Sequence, residues 1–328
     1  MKVTVLGAHG AFSTGKHSDV VDISDLAKLL QELKNPNSEV EEIIRRYIRR
    51  AYYPTWQSNF LIELPQPDGK ILRIVIDFGG DVRHALQNIG LTINDIDIWY
   101  CSHPHQDHIG GIEGVALSTF FNPGFRKEKL AFLEGKPISM VVDTKPLPDN
   151  CKPVLMAHED VLKDVWPAAR PGLETLEGIE NVSLETYFKV TSLTKDSAIE
   201  FKDGDRIWIM KPIRSLHVVN DRDFMNSWGL TFEEKGGTHR IYFPTDSQFM
   251  SPKQIRTTYN KSTVIYQDCE TSPFPSDVHA HINDLRTLPA DIKKKMLLYH
   301  YQEMPTVAKH IDDGEFGGVL KMGDVQEY

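Results

Sequence analysis

Cysteine is scarce in this chain of 328 residues, and the three that are present, Cys101, Cys151 and Cys269, form an odd and widely spaced set. Such spacing provides neither a disulfide framework nor the paired cysteines of a zinc knuckle. We therefore expect a reducing, cytoplasmic setting and a protein whose metal sites, if it has any, use other ligands.

Long apolar runs and excess positive charge are also missing. No stretch approaches the roughly 20 apolar residues of a membrane-spanning helix, so we expect no membrane span. The opening segment from Met1 to Gly7 is typical of a core strand, and it is too soon broken by glycine to be a secretory signal. The formal net charge of −9 disfavours binding to long nucleic acid, although it permits a small anionic substrate.

The chain length suits one large domain or two modest ones. Apolar stripes at helical spacing predict two helices between residues 26 and 51. Strand patterns follow, with hairpins predicted over 60–76 and 198–210, each closed by an Asp-Gly turn. A helix over 82–89 and a strand over 96–100 give a βαβ rhythm, in which ligands gather at the carboxyl ends of strands. The proline-rich residues 121–200 favour a loop-heavy segment laid over the core, with strand-like patterns at 138–142 and 154–156 and a helical one at 159–165.

Four side chains of metal-ligand type occur within one short run, His103-Pro104-His105-Gln106-Asp107-His108. Pro104 prevents a helix from starting inside the run, and an extended backbone lets His103 and His105 point to one ion. Asp107 and His108 open the following turn and can face a second ion. Imidazole and carboxylate ligands suit zinc, iron and manganese, so the run predicts metal-dependent chemistry.

This run resembles the signature of the metallo-β-lactamase superfamily. The resemblance implies an α/β fold, a four-layer αβ/βα sandwich with a hydrolytic site for one or two metal ions. It covers about residues 1–12, 58–115 and 205–302. We therefore expect a single domain over 1–328, with a helical insertion at 13–57 and a longer insertion or lid at 121–200.

The resemblance also implies the rest of the site. The Asp-x-Gly that ends a family strand is matched by Asp77-Phe78-Gly79, in which the carboxylate orients a ligand. A third histidine, a bridging aspartate and a last histidine are matched by His217, Asp246 and His300. Two divalent ions are expected, with zinc favoured and manganese or iron as alternatives. The implied ligand groups are His103, His105 and His217 for one ion and Asp107, His108 and His300 for the other, with Asp246 between them.

Three further features favour attack on phosphorus. The stretch from Asn226 to Phe232 is similar to a Ser-aromatic-Gly-apolar stretch of ribonuclease Z and its small-substrate phosphodiesterase relatives. His279 precedes His300 at a spacing close to that of a non-ligand histidine in those enzymes, which can protonate a leaving oxygen. Arg214 is placed to pair with a phosphate oxygen. Each feature has an ordinary alternative, namely a strand turn, a structural histidine or a surface arginine, and His281 competes with His279 for the acid role.

The sequence thus predicts a metal-dependent hydrolase, and a phosphodiesterase acting on a small cyclic-nucleotide-like substrate through a metal-bridging hydroxide. Its catalytic candidates are Asp107, His279 and His281. No basic, glycine-rich arm of the kind that clamps tRNA in ribonuclease Z is present. Two alternatives are a lactone or thioester hydrolase on the same centre and a catalytically silent nucleotide-binding or assembly protein. We favour a homodimer over a monomer.

Overall fold

Two seven-stranded sheets form the centre of the structure. The computed structural model describes residues 1–10, 56–122, 152–250, 255–302 and 314–328. Strands and helices are numbered along the chain within these ranges. None of the helices in them is both long enough and apolar enough to cross a membrane.

The first sheet is built mainly from the N-terminal half of the chain. In sheet order its strands are β14 (Val325–Glu327), β1 (Lys2–Gly7), β2 (Asn59–Pro65), β3 (Ile71–Ile76), β4 (Ile98–Cys101), β5 (Val154–His158) and β6 (Lys189–Leu193). Strands β1 to β3 pair antiparallel, and strands β3 to β6 pair parallel. The carboxyl ends of β3, β4 and β5 therefore lie at one edge.

The second sheet repeats this plan with the C-terminal half. In sheet order its strands are β13 (Gly318–Val319), β12 (Met296–Tyr299), β11 (Val264–Asp268), β10 (Arg240–Phe243), β9 (Ser227–Glu234), β8 (Arg206–Ser215) and β7 (Ile199–Asp203). Strands β7 to β10 pair antiparallel, and strands β10 to β13 pair parallel. Because β10, β11 and β12 point the same way, their carboxyl ends also meet at one edge.

Helices cover the outer face of each sheet. The helices are α1 (Val82–Asn88), α2 (Gln106–Ile109), α3 (Ile112–Phe121), α4 (Glu159–Leu173), α5 (Leu184–Tyr187), α6 (Ile282–Arg286) and α7 (Ala290–Lys293). One apolar cluster joins the two sheets, where Phe60 packs edge-on against Phe243, Tyr266 and Tyr299. A second cluster joins the first sheet to α1, α3, α4 and α5, and a third joins the second sheet to α6 and α7. The order of layers is helix, sheet, sheet, helix, as the predicted αβ/βα sandwich requires.

Both predicted hairpins are confirmed as β2–β3 and β7–β8. Residues 154–193, within the expected insertion or lid over 121–200, contribute β5 and β6 to the first sheet. Helix α4 runs through Pro167 and Pro171, since a stripe of residues buried at every fourth position outweighs the lost backbone bonds. The two helices predicted between residues 26 and 51, within the expected 13–57 insertion, lie outside the described residues, as does most of 121–153.

Candidate metal centre

The predicted ligand run lies where β4 ends. Strands β3 and β4 are parallel neighbours, so Asp77 and Ser102, which follow them, reach the same edge of the sheet. His103 follows Ser102 directly, and the backbone stays extended at His105 before α2 begins at Gln106. The expectation that no helix starts inside the run is wrong, because only the part up to His105 is extended and α2 begins at Gln106.

Three imidazoles converge at the first group of ligand atoms. The Nδ1 atom of His105 lies 3.0 Å from Nε2 of His103 and 3.1 Å from Nε2 of His217. The Oδ2 atom of Asp246 lies 3.9 Å from Nε2 of His103 and 3.8 Å from Nε2 of His217. Four ligand-type atoms therefore surround one point, with His105 presenting Nδ1 and the other two histidines Nε2.

Asp246 also belongs to a second group. Its Oδ2 lies 3.1 Å from Nε2 of His108 and 3.4 Å from Nε2 of His300. The Oδ2 atom of Asp107 lies 3.3 Å from Nε2 of His108 and 3.9 Å from Nε2 of His300. Asp246 is thus shared by both groups. Together the groups contain all seven predicted ligands, namely His103, His105, Asp107, His108, His217, Asp246 and His300.

Two of the histidines are oriented by one buried carboxylate. Nδ1 of His108 lies 2.8 Å from Oδ2 of Asp77. The hydroxyl of Ser102 donates to Oδ2 of Asp77 at 2.8 Å and lies 2.9 Å from Nδ1 of His103. Because that hydroxyl proton is already donated to Asp77, its oxygen accepts from Nδ1–H of His103. Both imidazoles then turn an unprotonated Nε2 towards the centre, which is the role predicted for Asp77.

The other two histidines that present Nε2 are oriented by neutral acceptors. Nδ1 of His217 donates to the carbonyl oxygen of Val278 at 2.8 Å. Nδ1 of His300 lies 3.0 Å from the hydroxyl oxygen of Ser58, which donates its own proton to the carbonyl of His9. Elements far apart in the chain therefore fix the ring orientations that metal binding requires.

The segment Asp77-Phe78-Gly79 after β3 holds the end of the ligand run in place through backbone contacts. The amide of Phe78 donates to the carbonyl of His108 at 2.7 Å, and its carbonyl accepts from Gly111 at 2.9 Å. A Cβ atom at Gly79 would overlap the backbone oxygen of Asp107. Glycine is therefore needed at position 79 because two stretches of backbone meet there.

Several residues of the centre have left-handed backbone angles, which non-glycine residues rarely adopt. Asp77, Thr245 and His300 have φ values of 59°, 56° and 61°. Conformations of this kind cost about 1–3 kcal/mol each and persist where the surroundings impose them. Here the surroundings place two predicted ligands, Asp246 after Thr245 and His300 itself, at strand ends.

The charges of the centre suit a cation. Burial lowers the pKa of both His217 and His300 to about 4, so both rings are neutral at pH 7 and free to coordinate. Burial would also lower the pKa of His108, but the carboxylates of Asp246, Asp107 and Asp77 raise it well above its ordinary value. Three carboxylates around one imidazole leave an excess of negative charge, which a divalent ion would balance.

Two buried polar atoms of the centre lack, within the described part of the chain, a partner that a metal ion would supply. Among the described residues, Nε2 of His108 and Oδ1 of Asp246 are buried without a hydrogen-bond partner. Unsatisfied buried polar atoms are costly, and coordination to an ion would satisfy them. Nitrogen and carboxylate donors in this number suit zinc, manganese and iron, so the residues present fit a divalent ion.

One histidine beside the centre is held by an aspartate. Nδ1 of His279 lies 3.0 Å from Oδ2 of Asp268 and 3.9 Å from Oδ2 of Asp246. Burial opposes protonation of His279, but Asp246 and the hydrogen bond with Asp268 outweigh it and raise its pKa to about 9. The His279 side chain is 16% exposed, whereas that of His300 is 4% exposed. His279 therefore meets solvent at the centre.

The second histidine of that pair is a helix cap. Nδ1 of His281 accepts from the backbone amide of Asn283 at the start of α6, and its Nε2 lies 3.0 Å from the carbonyl oxygen of Ser272. Both ring nitrogens are bonded to backbone, so no proton of His281 is available to a substrate. The expectation that His281 competes for the acid role is therefore corrected.

Arg214 does not contact a ligand residue in the described structure. Its guanidinium carbon lies 4.6 Å above the centroid of the Phe224 ring, and its side chain stands at an exposed position of β8. The contact with the ring leaves the N–H donors of the guanidinium free, so the pairing of Arg214 with a phosphate oxygen stays a prediction.

Sequence reasoning missed Asp268, Ser102 and Ser58. Asp268 ends the apolar strand β11 in the same way that Asp77 follows β3, so a search for carboxylates at strand ends would have found it. The two serines carry no such pattern. Their roles depend on which histidine lies beside them in the folded chain.

Several solved structures have a similar fold. A diphosphatase of the PhnP family aligns with a TM-score of 0.59 and 15% identity, covering 100% of this chain and 97% of that one. The metallo-β-lactamase fold protein YhfI of Bacillus subtilis aligns with a TM-score of 0.56 and 15% identity, covering 99% of both chains. The short form of human tRNase Z aligns with a TM-score of 0.54 and 12% identity, covering 100% and 99%. These similarities show the fold.

The sandwich is that of the metallo-β-lactamase fold, and the two histidine-aspartate groups at its edge could hold metal ions. A family model narrows this class, since that of the anti-Pycsar protein Apyc1 matches residues 51–136 and 139–325. The chain belongs to the anti-Pycsar protein Apyc1 family.

Curated members of that family are distant but extensive matches. The Apyc1 protein of Paenibacillus harenae is 27% identical over 244 residues, which cover 74% of this chain and 82% of that protein. The Apyc1 protein of Bacillus phage vB_BveM-Goe7 is 24% identical over 234 residues, which cover 70% and 78%. The family thus has members in bacteria and in phages.

Proposed function

We propose that this protein is a phosphodiesterase with two divalent ions that acts on a small, cyclic-nucleotide-like phosphodiester. The observation that carries the proposal is the hydrogen bond between Asp268 and His279. This bond supports the proposal because it holds a histidine that is not one of the seven predicted ligands beside the ligand groups. An acid of this kind serves a leaving group that departs as an alkoxide, as the sugar oxygen of a cyclic nucleotide does.

The two groups would each hold one ion, with Asp246 contributing to both. Zinc is favoured, and manganese or iron would suit the same donors. Bound ions of this kind lower the pKa of water to about 7 and so supply hydroxide at neutral pH. The ligands in this proposal are His103, His105 and His217 on one side and Asp107, His108 and His300 on the other.

The protein's own residues orient the site and supply the proton. Asp77 and Ser102 hold His108 and His103 with Nε2 turned inwards. Asp268 holds Nδ1–H of His279, so the opposite ring nitrogen carries the transferable proton. With hydroxide as the nucleophile, the Nε2 proton of His279 would pass to the leaving oxygen as its bond to phosphorus breaks.

A panel of substrates tests this proposal. The metal-replete protein is assayed with a 3′,5′-cyclic nucleotide, bis(p-nitrophenyl) phosphate, a lactone and a thioester, in zinc and in manganese. We expect both phosphodiesters to be hydrolysed. His279→Asn should lower kcat on the cyclic nucleotide by about 10²–10⁴-fold. The loss on bis(p-nitrophenyl) phosphate should be smaller, because nitrophenolate leaves without needing a proton.

His281→Asn is the matched control. Asparagine is a good helix N-cap, so this variant keeps the bond to the amide of Asn283 and should keep wild-type activity. Turnover of the lactone or thioester without turnover of either phosphodiester would identify a carboxyl-ester hydrolase instead. A metal-replete wild type that turns over none of the four substrates would favour a binding or assembly protein.

A further inference from the structure

The connection between β8 and β9 begins and ends at the candidate metal centre. His217, at its start, contributes Nε2 to the first ligand group, 3.1 Å from Nδ1 of His105. At its end the hydroxyl of Ser227 lies 3.4 Å from the carbonyl oxygen of Asp246. Both ends of residues 218–226 are therefore held beside the ligand groups.

Those residues form a small hairpin with a defined shape. Val219 pairs with Phe224 as antiparallel partners. The side-chain oxygen of Asn220 accepts from the backbone amides of Arg222 and Asp223, both at 2.9 Å. The amide of Asn220 in turn donates to the carbonyl of Asp223 at 2.9 Å. The turn is held by its own hydrogen bonds, so the backbone of Phe224 has a fixed position.

Phe224 carries a large apolar ring that is 48% exposed. The guanidinium of Arg214 lies over the ring, 4.6 Å from its centroid. A cation in this position is attracted by the electrons of the ring and steadies its orientation. The bridge partner of Phe224, Val219, is also 48% exposed. No aromatic ring of the described residues stacks on Phe224.

Phe224 is close in the chain to a residue that touches the centre. Three residues of chain, which span at most about 10 Å when extended, separate it from Ser227, whose hydroxyl lies beside the carbonyl oxygen of Asp246. The inference requires that one small substrate reach from the ligand groups to the Phe224 ring. Stacking on an aromatic side chain is available to every base and contributes about 1–3 kcal/mol.

We propose that Phe224, steadied by Arg214, is the platform on which the nucleobase of the substrate stacks. This inference rests on the proposed function, since it assigns the base of the phosphodiester that the metal centre would cleave. The platform lies away from the reacting bond, so it binds the substrate and the transition state equally. Its loss should therefore raise KM and leave kcat unchanged.

Two substrates that differ only in the base test the platform. One is a 3′,5′-cyclic nucleotide, and the other is 1-O-methylribose 3′,5′-cyclic phosphate, which has no base. Phe224→Ala should raise KM for the nucleotide by about 5- to 100-fold and leave its kcat unchanged. The base-free compound should be cleaved as by the wild type. Phe224→Trp restores a stacking surface and should restore KM for the nucleotide.

Phe121→Ala is the matched control. Phe121 is another exposed phenylalanine, 63% accessible, at the far end of α3, a helix about 15 Å long that leads away from the ligand run. This variant should match the wild type on both substrates.

Three outcomes would overturn the platform. In the first, Phe224→Ala leaves KM for the nucleotide unchanged. In the second, it impairs both substrates equally, which would mean that the ring only supports the hairpin. In the third, Phe224→Trp fails to rescue KM. Failure of the proposed function is a separate result, in which the wild type cleaves neither compound, and the platform falls with it.

Discussion

Asp268 and His279 form a hydrogen-bonded pair, with 3.0 Å between Oδ2 and Nδ1. Three further donors reach the same carboxylate, from the amide and hydroxyl of Ser247 and from the side chain of Gln267. Four donors to one buried aspartate fix its position closely. Asp268 therefore positions the imidazole of His279 and acts on the chemistry of the centre only through that ring.

Replacing that carboxylate should change both rate and pH dependence. Asp268→Asn removes one of the groups that raise the pKa of His279. Because the acid role requires protonated His279, activity falls as pH rises through this pKa, and the fall should come at lower pH in the variant. We also expect kcat to drop about 10- to 100-fold. Profiles of kcat against pH measure both effects.

Asp284→Asn is the control for that experiment, because it makes the same chemical change at an exposed position of α6. Its profile should overlie that of the wild type. An alkaline limb that stays in place in Asp268→Asn would show that the pair does not set the protonation of the acid.

Removal of the shared aspartate should disable the centre. Asp246 lies within 4 Å of four Nε2 atoms that the two groups contribute, on His103, His108, His217 and His300. Asp246→Ala should lower hydrolysis of bis(p-nitrophenyl) phosphate by at least about a hundredfold and lower the bound metal. Elemental analysis of the purified protein gives the metal content. Asp205→Ala, in an exposed hairpin turn, is the control, and full activity in Asp246→Ala would refute a metal-dependent mechanism.

Gly79 should tolerate no side chain. A Cβ atom there overlaps the backbone of Asp107, so Gly79→Ala should destabilise the fold by about 1–3 kcal/mol and reduce metal content. Gly114→Ala provides the contrast. It lies in α3, where a Cβ atom would meet no other atom within 4 Å, and it should stabilise the protein by about 0.5–1 kcal/mol. Urea denaturation measures both, and equal effects of the two substitutions would contradict the close approach.

His9 should make the protein less stable in acid. Burial lowers its pKa from 6.5 to about 4, so between these values the unfolded chain binds a proton that the folded chain does not. Stability from this residue is therefore complete above pH 6.5 and is lost as pH falls towards 4. At pH 5 the loss is about 2 kcal/mol. His9→Gln removes the titration.

Urea midpoints at pH 7.5 and pH 5 should accordingly differ less in His9→Gln than in the wild type. His84→Gln, which replaces an exposed histidine of α1, should retain the wild-type difference. An unchanged difference in His9→Gln would mean that His9 accepts its proton within the folded structure.

The ligand run could be predicted from sequence because its members are neighbours in the chain, so local spacing alone brings them together. Asp246 and His300 could be found because each follows an apolar strand, and strand ends meet at one edge of a sheet. His279 and His281 could not be separated in this way. They differ only in what surrounds them, a carboxylate from β11 for one and the first turn of α6 for the other.

Residues 154–193 could be predicted only in part. The strand pattern at 154–156 and the helical pattern at 159–165 agree with β5 and the start of α4. Prolines at 167 and 171 indicate breaks locally, yet the buried stripe of α4 continues the helix through both. The position of β5 between β4 and β6 depends on strands that are distant in sequence, and local residue preferences do not contain that information.

The two sheets each supply part of the ligand set. A strand of the first sheet precedes His103, His105, Asp107 and His108. Strands of the second sheet precede His217, Asp246 and His300. An ion bound between them would tie the two halves of the chain together across their shared interior. In a chain with three scattered cysteines, a bound ion would stabilise the fold as a covalent cross-link does. That stabilisation would depend on the supply of metal.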